Sequence, residues 1–260
     1  MSSVNMSKIN QLLLMQPQGV VFTSAWMLKK GYSFDLQKQY RRSNWFTSIG
    51  KGAMVRTGDK LTMQGALFSL QHQLLMNIHI GGKSALELHG KAHYLNMGKQ
   101  KMVLFGPRKE MLPAWFVNYE GWKDSFTHIH TDFLPVEIGM SAYNYDSYEI
   151  RVSAPARAML ECLFLTPKDQ SIAECAELME GLTALHPQQV QHLLEECKSV
   201  KVKRLFLYLA ERANHGWVKH LNIAKIDLGS GKRSIVSHGI YDKKYQITIP
   251  KELVSYESDF

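Results

Sequence analysis

The sequence contains few cysteines and no long apolar run. Cys162, Cys175 and Cys197 have no C-x-x-C or Cys/His ligand spacing, which argues against a disulfide framework or a structural zinc module. No stretch approaches the roughly 20 apolar residues needed to span a bilayer, and the N-terminus lacks a signal-peptide pattern. These absences predict a cytoplasmic protein with buried thiols and no membrane partner.

Catalytic signatures are also missing, including G-x-S-x-G, H-E-x-x-H and a complete phosphate loop. The segment Gly229-Ser230-Gly231-Lys232-Arg233 looks like part of such a loop. However, Arg233 stands where Ser or Thr would hold magnesium, and Ile226 replaces the first glycine. Its two glycines and two cations leave open a simpler anion-binding turn.

One further cluster has the residue types of a metal site. His128, His130 and Asp132 share one face of a predicted strand, but the sequence offers no fourth ligand and no general base nearby. We therefore predict no catalytic residue, no metal site and no cofactor.

Acidic side chains are scarce at the start of the chain. The first 60 residues carry nine Lys and Arg but only Asp35 and Asp59, a net charge of +7 out of +8 for the whole chain. Such a concentration of positive charge predicts a polyanionic partner, above all nucleic acid. At 260 residues the chain has room for one large domain or two modest ones.

Three short helices are predicted in this basic segment, over 8–16, 24–30 and 34–44. Ser7, Thr23 and Ser33 are placed to cap them, and Gly31 follows the second. Helices two and three, joined by a glycine-containing turn, form a helix-turn-helix pattern.

The third helix carries the predicted contacts with DNA. Leu36 and Tyr40 can face the core, which would leave Gln37, Lys38, Arg41 and Arg42 pointing outward. Gln, Lys and Arg are side chains that contact base edges and phosphates from a recognition helix in the major groove.

A two-stranded wing is predicted to follow this helix. Residues 45–49 and 53–57 have strand character around the turn Gly50-Lys51-Gly52, with Lys51 at the tip and Arg56 near the base. With five or six phosphate contacts, we expect a salt slope of roughly −5. The predicted DNA-binding residues are Thr23, Ser33, Gln37, Lys38, Arg41, Arg42, Lys51 and Arg56.

The remaining chain predicts an α+β fold, with a winged helix-turn-helix followed by a larger mixed α/β domain. Strand, helix and strand patterns succeed one another after residue 60. We place the DNA-binding domain at 1–60, with a possible extension to about 97, and the second domain at 98–260. Helices are predicted over 62–76, 84–89, 156–165, 171–182, 187–198 and 201–215, and strands over 77–80, 101–105, 125–134, 149–152, 225–228, 233–237 and 244–249.

A second basic region lies at the C-terminal end. Residues 201–260 carry 11 Lys and Arg against six Asp and Glu, and Arg204 and Arg212 share a face of the last long helix. Either this face is simply solvated, or it holds an acidic partner or more nucleic-acid backbone. The candidate surface residues are Arg204, Arg212, Lys232 and Arg233.

Five fragments, in order, resemble the AbiEi antitoxins of bacterial abortive-infection toxin–antitoxin systems. The resemblance extends from about Lys8 to Pro250. The fragments are Gly65-Ala66-Leu67 on through His79-Ile80-Gly81-Gly82-Lys83-Ser84-Ala85-Leu86 to His93-Tyr94-Leu95, Leu112-Pro113-Ala114-Trp115-Phe116, Ser153-Ala154-Pro155-Ala156-Arg157, Lys203-Arg204-Leu205-Phe206 and Leu228-Gly229-Ser230-Gly231-Lys232-Arg233.

The resemblance implies two activities. Members of the family bind inverted repeats in their own promoter through an N-terminal winged helix and repress it. They also neutralise a cognate AbiEii-type nucleotidyltransferase toxin through a C-terminal antitoxin domain, whether by direct contact or indirectly. The residues themselves leave two alternatives: a nuclease-like nucleic-acid enzyme, or a transcription factor that senses a small ligand.

Overall fold

A computed structural model describes residues 6–91, 101–145 and 147–255. The three predicted caps are present: the hydroxyls of Ser7, Thr23 and Ser33 accept hydrogen bonds from the amides of Asn10, Trp26 and Leu36. The first elements of the chain are α1 (Lys8–Leu14), β1 (Val21–Thr23), α2 (Ser24–Lys29), α3 (Phe34–Arg42), β2 (Phe46–Gly50) and β3 (Ala53–Arg56).

These elements form a small unit with its own core. The strands make an antiparallel sheet in the order β1-β3-β2, and the turn between β2 and β3 is the predicted wing. Phe22 on β1 meets Phe46 on β2 edge to face, with ring centroids 4.9 Å apart. The core consists of Leu12, Phe22, Trp26, Met27, Tyr32, Tyr40, Phe46 and Met54.

The rest of the chain forms the body of the protein. It contains α4 (Met63–His72), β4 (His79–Ile80), α5 (Gly82–Leu88), β5 (Met102–Gly106), α6 (Ala114–Val117), β6 (Phe126–His130), β7 (Met140–Tyr145), β8 (Tyr148–Ser153), α7 (Pro155–Leu165), α8 (Ile172–Glu180), α9 (Pro187–Glu196), α10 (Val200–Arg212), β9 (Arg233–Ser234), β10 (Ile240–Asp242), β11 (Ile247–Ile249) and α11 (Glu252–Ser255), with 3-10 turns at Gly216–His220 and Ile223–Lys225.

The body is built on a mixed sheet of five strands in the order β6-β5-β4-β8-β7. The two-residue strand β4 lies in the middle, antiparallel to β5 and parallel to β8. A smaller sheet, β10-β11-β9, packs near α10. The α+β class predicted from the sequence is confirmed.

A buried carboxylate joins the middle of the large sheet to α7. Glu161 is fully buried and accepts hydrogen bonds from Arg157, Ser153 and the Gly82 amide, at 2.9, 2.7 and 2.9 Å. Its Oε1 also lies 3.0 Å from Nε2 of His79. Burial by itself would raise the pKa of Glu161, but His79 and Arg157 outweigh it and lower that pKa to about 2.

The N-terminal unit and the body pack against each other. Ser69 on α4 both accepts from the Val21 amide and donates to the Val21 carbonyl, at 3.0 and 2.7 Å. The side-chain oxygen of Gln73 accepts from Thr23. A Cβ on Gly65 would lie 2.0 Å from the Gly19 carbonyl oxygen. Only glycine therefore allows α4 to pack this closely against the backbone that precedes β1. Contacts thus cross residue 60, and the alternative boundary at 97–98 lies outside the described residues.

Some predicted elements differ from those observed. Residues 225–228 were expected to form a strand, which is wrong: a 3-10 turn ends at Lys225. Ser84 was expected to cap a helix, but α5 begins earlier and the Ser84 hydroxyl accepts from the Val103 amide on β5. Strands β1, β7 and β10 were not anticipated; β1, for example, is buried on both faces and so lacks alternation.

Candidate nucleic-acid interface

One predicted contact on α3 faces the wrong way. Gln37 is 1% exposed, and its amide nitrogen donates to the carbonyls of Tyr32 and Ser24, at 2.9 and 3.2 Å. Tyr32 lies in the α2–α3 turn and Ser24 is the first residue of α2, so the buried Gln37 amide links α3 to both. The prediction that Gln37 points outward is therefore wrong; it helps to hold the helix-turn-helix together.

The outer face of α3 carries the positive charge. Lys38 and Arg42 are exposed and Arg41 is half-buried, while Tyr40 faces the core. Phe34, Lys38 and Arg42 follow one another at intervals of four residues, so they form a row along the helix. Sequence reasoning overlooked Phe34, although an aromatic residue directly after the cap at Ser33 was a usable signal.

The two capping residues that were predicted to contact DNA differ in their exposure to solvent. Thr23 is 2% exposed, and its hydroxyl is shared between the Trp26 amide and the side chain of Gln73. The end of α4 covers this side chain, so it does not face solvent, and its contact with DNA stays an untested prediction. Ser33 is exposed at the first turn of α3 and stays a predicted contact.

Of the two cations predicted on the wing, one is exposed to solvent and the other is largely buried. Lys51 is exposed at the tip. The Arg56 side chain is only 18% exposed; its Nη2 donates to the Leu13 carbonyl at 2.8 Å, and its Nε lies 3.9 Å from Asp59. Arg56 therefore joins β3 to the end of α1 and is not a free cation of the wing, and its contact with the DNA backbone stays a prediction.

The wing also rests against the body. A Cβ added to Gly50 would lie 2.8 Å from the Cβ of Trp115, which is itself buried on α6. This close contact orients the wing relative to the body. The candidate interface that remains consists of Ser33, Lys38, Arg41, Arg42 and Lys51.

Two of the four residues predicted for the second basic surface, Arg204 and Arg212, are engaged within the fold. Arg204 is 2% exposed, and its guanidinium donates to the carbonyls of Leu228, Gly231, Gln246 and Gly229, at 2.8, 2.7, 3.2 and 3.2 Å. The prediction that Arg204 belongs to a surface is wrong, because a guanidinium with five donors is used here to fix a loop.

Arg212 is also engaged within the fold. Its side chain is 14% exposed, donates to the Leu253 carbonyl at 3.1 Å and lies 3.4 Å from Glu180. Its assignment to an open basic surface is wrong for the same reason. Lys232 and Arg233 are exposed, with the Lys232 ammonium 5.1 Å from the ring centre of Tyr241. These two cations remain available to a partner.

The histidine cluster does not form a metal centre within the described residues. The rings of His128 and His130 lie 3.9 Å apart on the edge strand β6, whereas Asp132 is 3.9 Å from Arg108. Burial, and then the neighbouring His130, lower the pKa of His128 to about 4. In the described ranges, no three His, Cys, Asp or Glu side chains are grouped to hold a metal ion.

The order α1-β1-α2-α3-β2-β3, with its three-stranded sheet, agrees with the winged helix-turn-helix expected from the sequence. Two family models match this chain. One, described as the N-terminal domain of the AbiEi antitoxin and transcriptional regulator, covers residues 5–97; the other, described as a transcriptional regulator and AbiEi antitoxin of a type IV toxin–antitoxin system, covers 99–250. The chain belongs to this AbiEi family of antitoxins and transcriptional regulators.

A solved structure supports the fold. The crystal structure of the RV2827C protein from Mycobacterium tuberculosis is similar with a TM-score of 0.56, at 13% identity, over 96% of this chain and 93% of the other. No curated protein matches the sequence. Among the described residues, no helix is long and apolar enough to cross a membrane.

Proposed function

We propose that this protein is a cytoplasmic, non-enzymatic autorepressor that binds inverted repeats in its own promoter. The observation that carries this proposal is the row of exposed cations on α3 beside Lys51 on the wing. An α-helix fits the major groove of B-DNA, and cations at the flanks neutralise phosphates. The buried Gln37 and the packed Trp115 support it by holding α3 and the wing in place.

The expected salt dependence follows from the cations that remain exposed. Lys38, Arg41, Arg42 and Lys51 give a slope of about −4 for each protomer, since each phosphate contact contributes about 0.9. This is shallower than the roughly −5 expected when Arg56 is also counted. Mobility-shift titrations at two salt concentrations, on DNA upstream of the gene and on shuffled DNA, measure both slope and specificity. Equal affinity for the two DNAs would overturn the repressor proposal.

We also propose that the protein neutralises a cognate nucleotidyltransferase toxin, directly or indirectly. Family membership supports this role, and Lys232 and Arg233 are the two of the four predicted surface cations that are exposed to a partner. The test is co-expression with the neighbouring nucleotidyltransferase gene, scored as growth. Growth arrest that the wild-type protein does not relieve would refute the antitoxin role.

The two proposed activities can be separated by variants. Lys232→Ala combined with Arg233→Ala is expected to weaken rescue from the toxin and to leave promoter affinity within about twofold. Lys168→Ala, an exposed lysine that follows α7, is the matched control. If the double variant instead loses DNA affinity and keeps rescue, these two cations contact nucleic-acid backbone rather than the toxin.

A further inference from the structure

We propose that Phe34 contacts the 5-methyl group of a thymine in each operator half-site and so helps to set the sequence preference of the protein. This inference depends on the proposed repressor function and adds a specificity residue to it. Phe34 is unusually exposed for a phenylalanine.

The Phe34 ring is 61% exposed at the first position of α3. The other two phenylalanines of the unit, Phe22 and Phe46, are 0% and 2% exposed and pack together in its core. Phe34 therefore contributes little to the core, although an exposed aromatic ring is costly to hydrate.

Its position within α3 indicates what it would meet. In a helix-turn-helix, the N-terminal residues of the recognition helix contact base edges. Phe34 lies one turn before Lys38 and two turns before Arg42 on the same row. When those cations are placed on DNA, the start of the row points towards the bases.

The chemistry of the first turn favours bases over phosphates. Asp35, next to Phe34, is exposed and negatively charged, so this end of α3 repels the backbone. A phenylalanine ring has no hydrogen bond to offer, and the apolar feature that the major groove presents is the methyl group of thymine. Asp35 can accept a hydrogen bond from a cytosine amino group, which fits the same placement.

A protein surface could also cover an exposed ring, but the neighbouring charges favour DNA. Lys38 and Arg42 extend the row as cations, and the first 60 residues carry a net +7. A partner that covered Phe34 would have to neutralise these charges as well, as DNA does.

The experiment removes single methyl groups from the operator. Promoter duplexes that each carry one deoxyuridine in place of a thymine are titrated with wild-type protein and with Phe34→Ala, at fixed salt. Wild-type protein is expected to lose about fourfold in affinity at one thymine per half-site, the factor for about one buried methyl group. Phe34→Ala is expected to bind about tenfold more weakly and to treat all the duplexes alike.

Two controls keep the result interpretable. Phe34→Leu retains an apolar side chain and is expected to keep part of the thymine preference. Leu14→Ala removes an apolar side chain that is 71% exposed at the end of α1 and is expected to change nothing. Far-UV circular dichroism establishes that each variant is folded.

The possible results distinguish a failure of the thymine contact from a failure of the proposed repressor function. Absence of promoter preference in the wild type overturns the repressor function, and the thymine contact with it. Specific binding that is indifferent to every deoxyuridine, or a penalty that persists in Phe34→Ala, overturns the thymine contact alone. Unchanged DNA binding with lost rescue from the toxin would assign Phe34 to a protein interface and also overturn it.

Discussion

Lys38 and Arg42 on α3 are exposed, whereas Lys203 and Arg204 on α10 are 4% and 2% exposed. Both helices belong to segments rich in Lys and Arg, and both are amphipathic. The difference is what covers them: α10 lies under the small C-terminal sheet and loop, while nothing among the described residues buries the outer face of α3. Charge counted along a sequence is therefore not the same as charge on a surface.

The largest expected effect is a loss of stability on removal of the buried Arg204 side chain. Arg204→Ala removes the guanidinium that donates to three carbonyls of the 228–231 loop and to the Gln246 carbonyl, which still accepts from the Arg233 amide. We expect the free energy of unfolding to fall by about 3 kcal/mol, since hydrogen bonds to charged groups contribute about 1.5–3 kcal/mol each and are not additive. Urea unfolding measures the change, with Lys232→Ala as a control expected within about 0.5 kcal/mol.

One outcome would contradict the contrast between α10 and α3. If Arg204→Ala weakened DNA or toxin binding while stability stayed unchanged, Arg204 would act on a surface and the contrast with α3 would fail.

The second prediction concerns Glu161, the buried carboxylate that pairs with Arg157. The pKa of Glu161 is about 2 in the folded protein, against 4.5 for an unperturbed Glu. Because the folded pKa is the lower one, the stabilisation is present above about pH 4.5 and is lost as the pH falls towards 2. It corresponds to a few kcal/mol at neutral pH.

Urea unfolding between pH 7 and pH 3 would show this loss in the wild type, while Glu161→Gln is expected to be less stable at pH 7 and to lack this part of the pH dependence. Glu195→Gln, on an exposed carboxylate of α9, serves as the matched control. An unchanged pH profile in Glu161→Gln would contradict the role assigned to the buried network.

The smallest change in stability is expected on the exposed face. Arg42→Ala should leave the free energy of unfolding within about 0.5 kcal/mol. It should weaken promoter binding by about 1–3 kcal/mol if Arg42 contacts a base, or reduce the salt slope by about 1 if it contacts a phosphate. The same measurement on Arg41→Ala distinguishes a half-buried cation from a fully exposed one.

Mobility shifts at several salt concentrations supply both numbers, and Arg56→Ala is the contrasting variant. Because Arg56 bonds to the Leu13 carbonyl, its loss is expected to lower stability rather than the salt slope. A reduced slope in Arg56→Ala with full stability would place that side chain on DNA after all.

Local patterns anticipated much of the N-terminal unit. The caps at Ser7, Thr23 and Ser33 and the glycine-flanked turn at Lys51 are decided by neighbours within a few residues, so the sequence reveals them. Strand β4 was also anticipated, but its place in the middle of the large sheet depends on strands as distant as β8. Such pairing has no local signature.

The direction of individual side chains is where sequence reasoning failed. The Gln37 side chain turns inward because its amide nitrogen donates to a backbone carbonyl, and the Thr23 side chain turns inward because its hydroxyl donates to Gln73. Arg204 lies inside because the 228–231 loop folds over it, from more than twenty residues away. Polarity alone gave no indication of this, since a buried polar group is stable wherever its hydrogen bonds are satisfied.

By itself, the sequence determined the starts of the first three helices, the turn of the wing, the α+β class and the concentration of positive charge in the first 60 residues. Each of these follows from backbone preferences and periodicity over short distances. Only the tertiary structure decided which cations face a partner and which hold carbonyls within the fold. The physical reason is that exposure depends on packing between distant segments, and a cation stabilises either arrangement as long as its donors are paired.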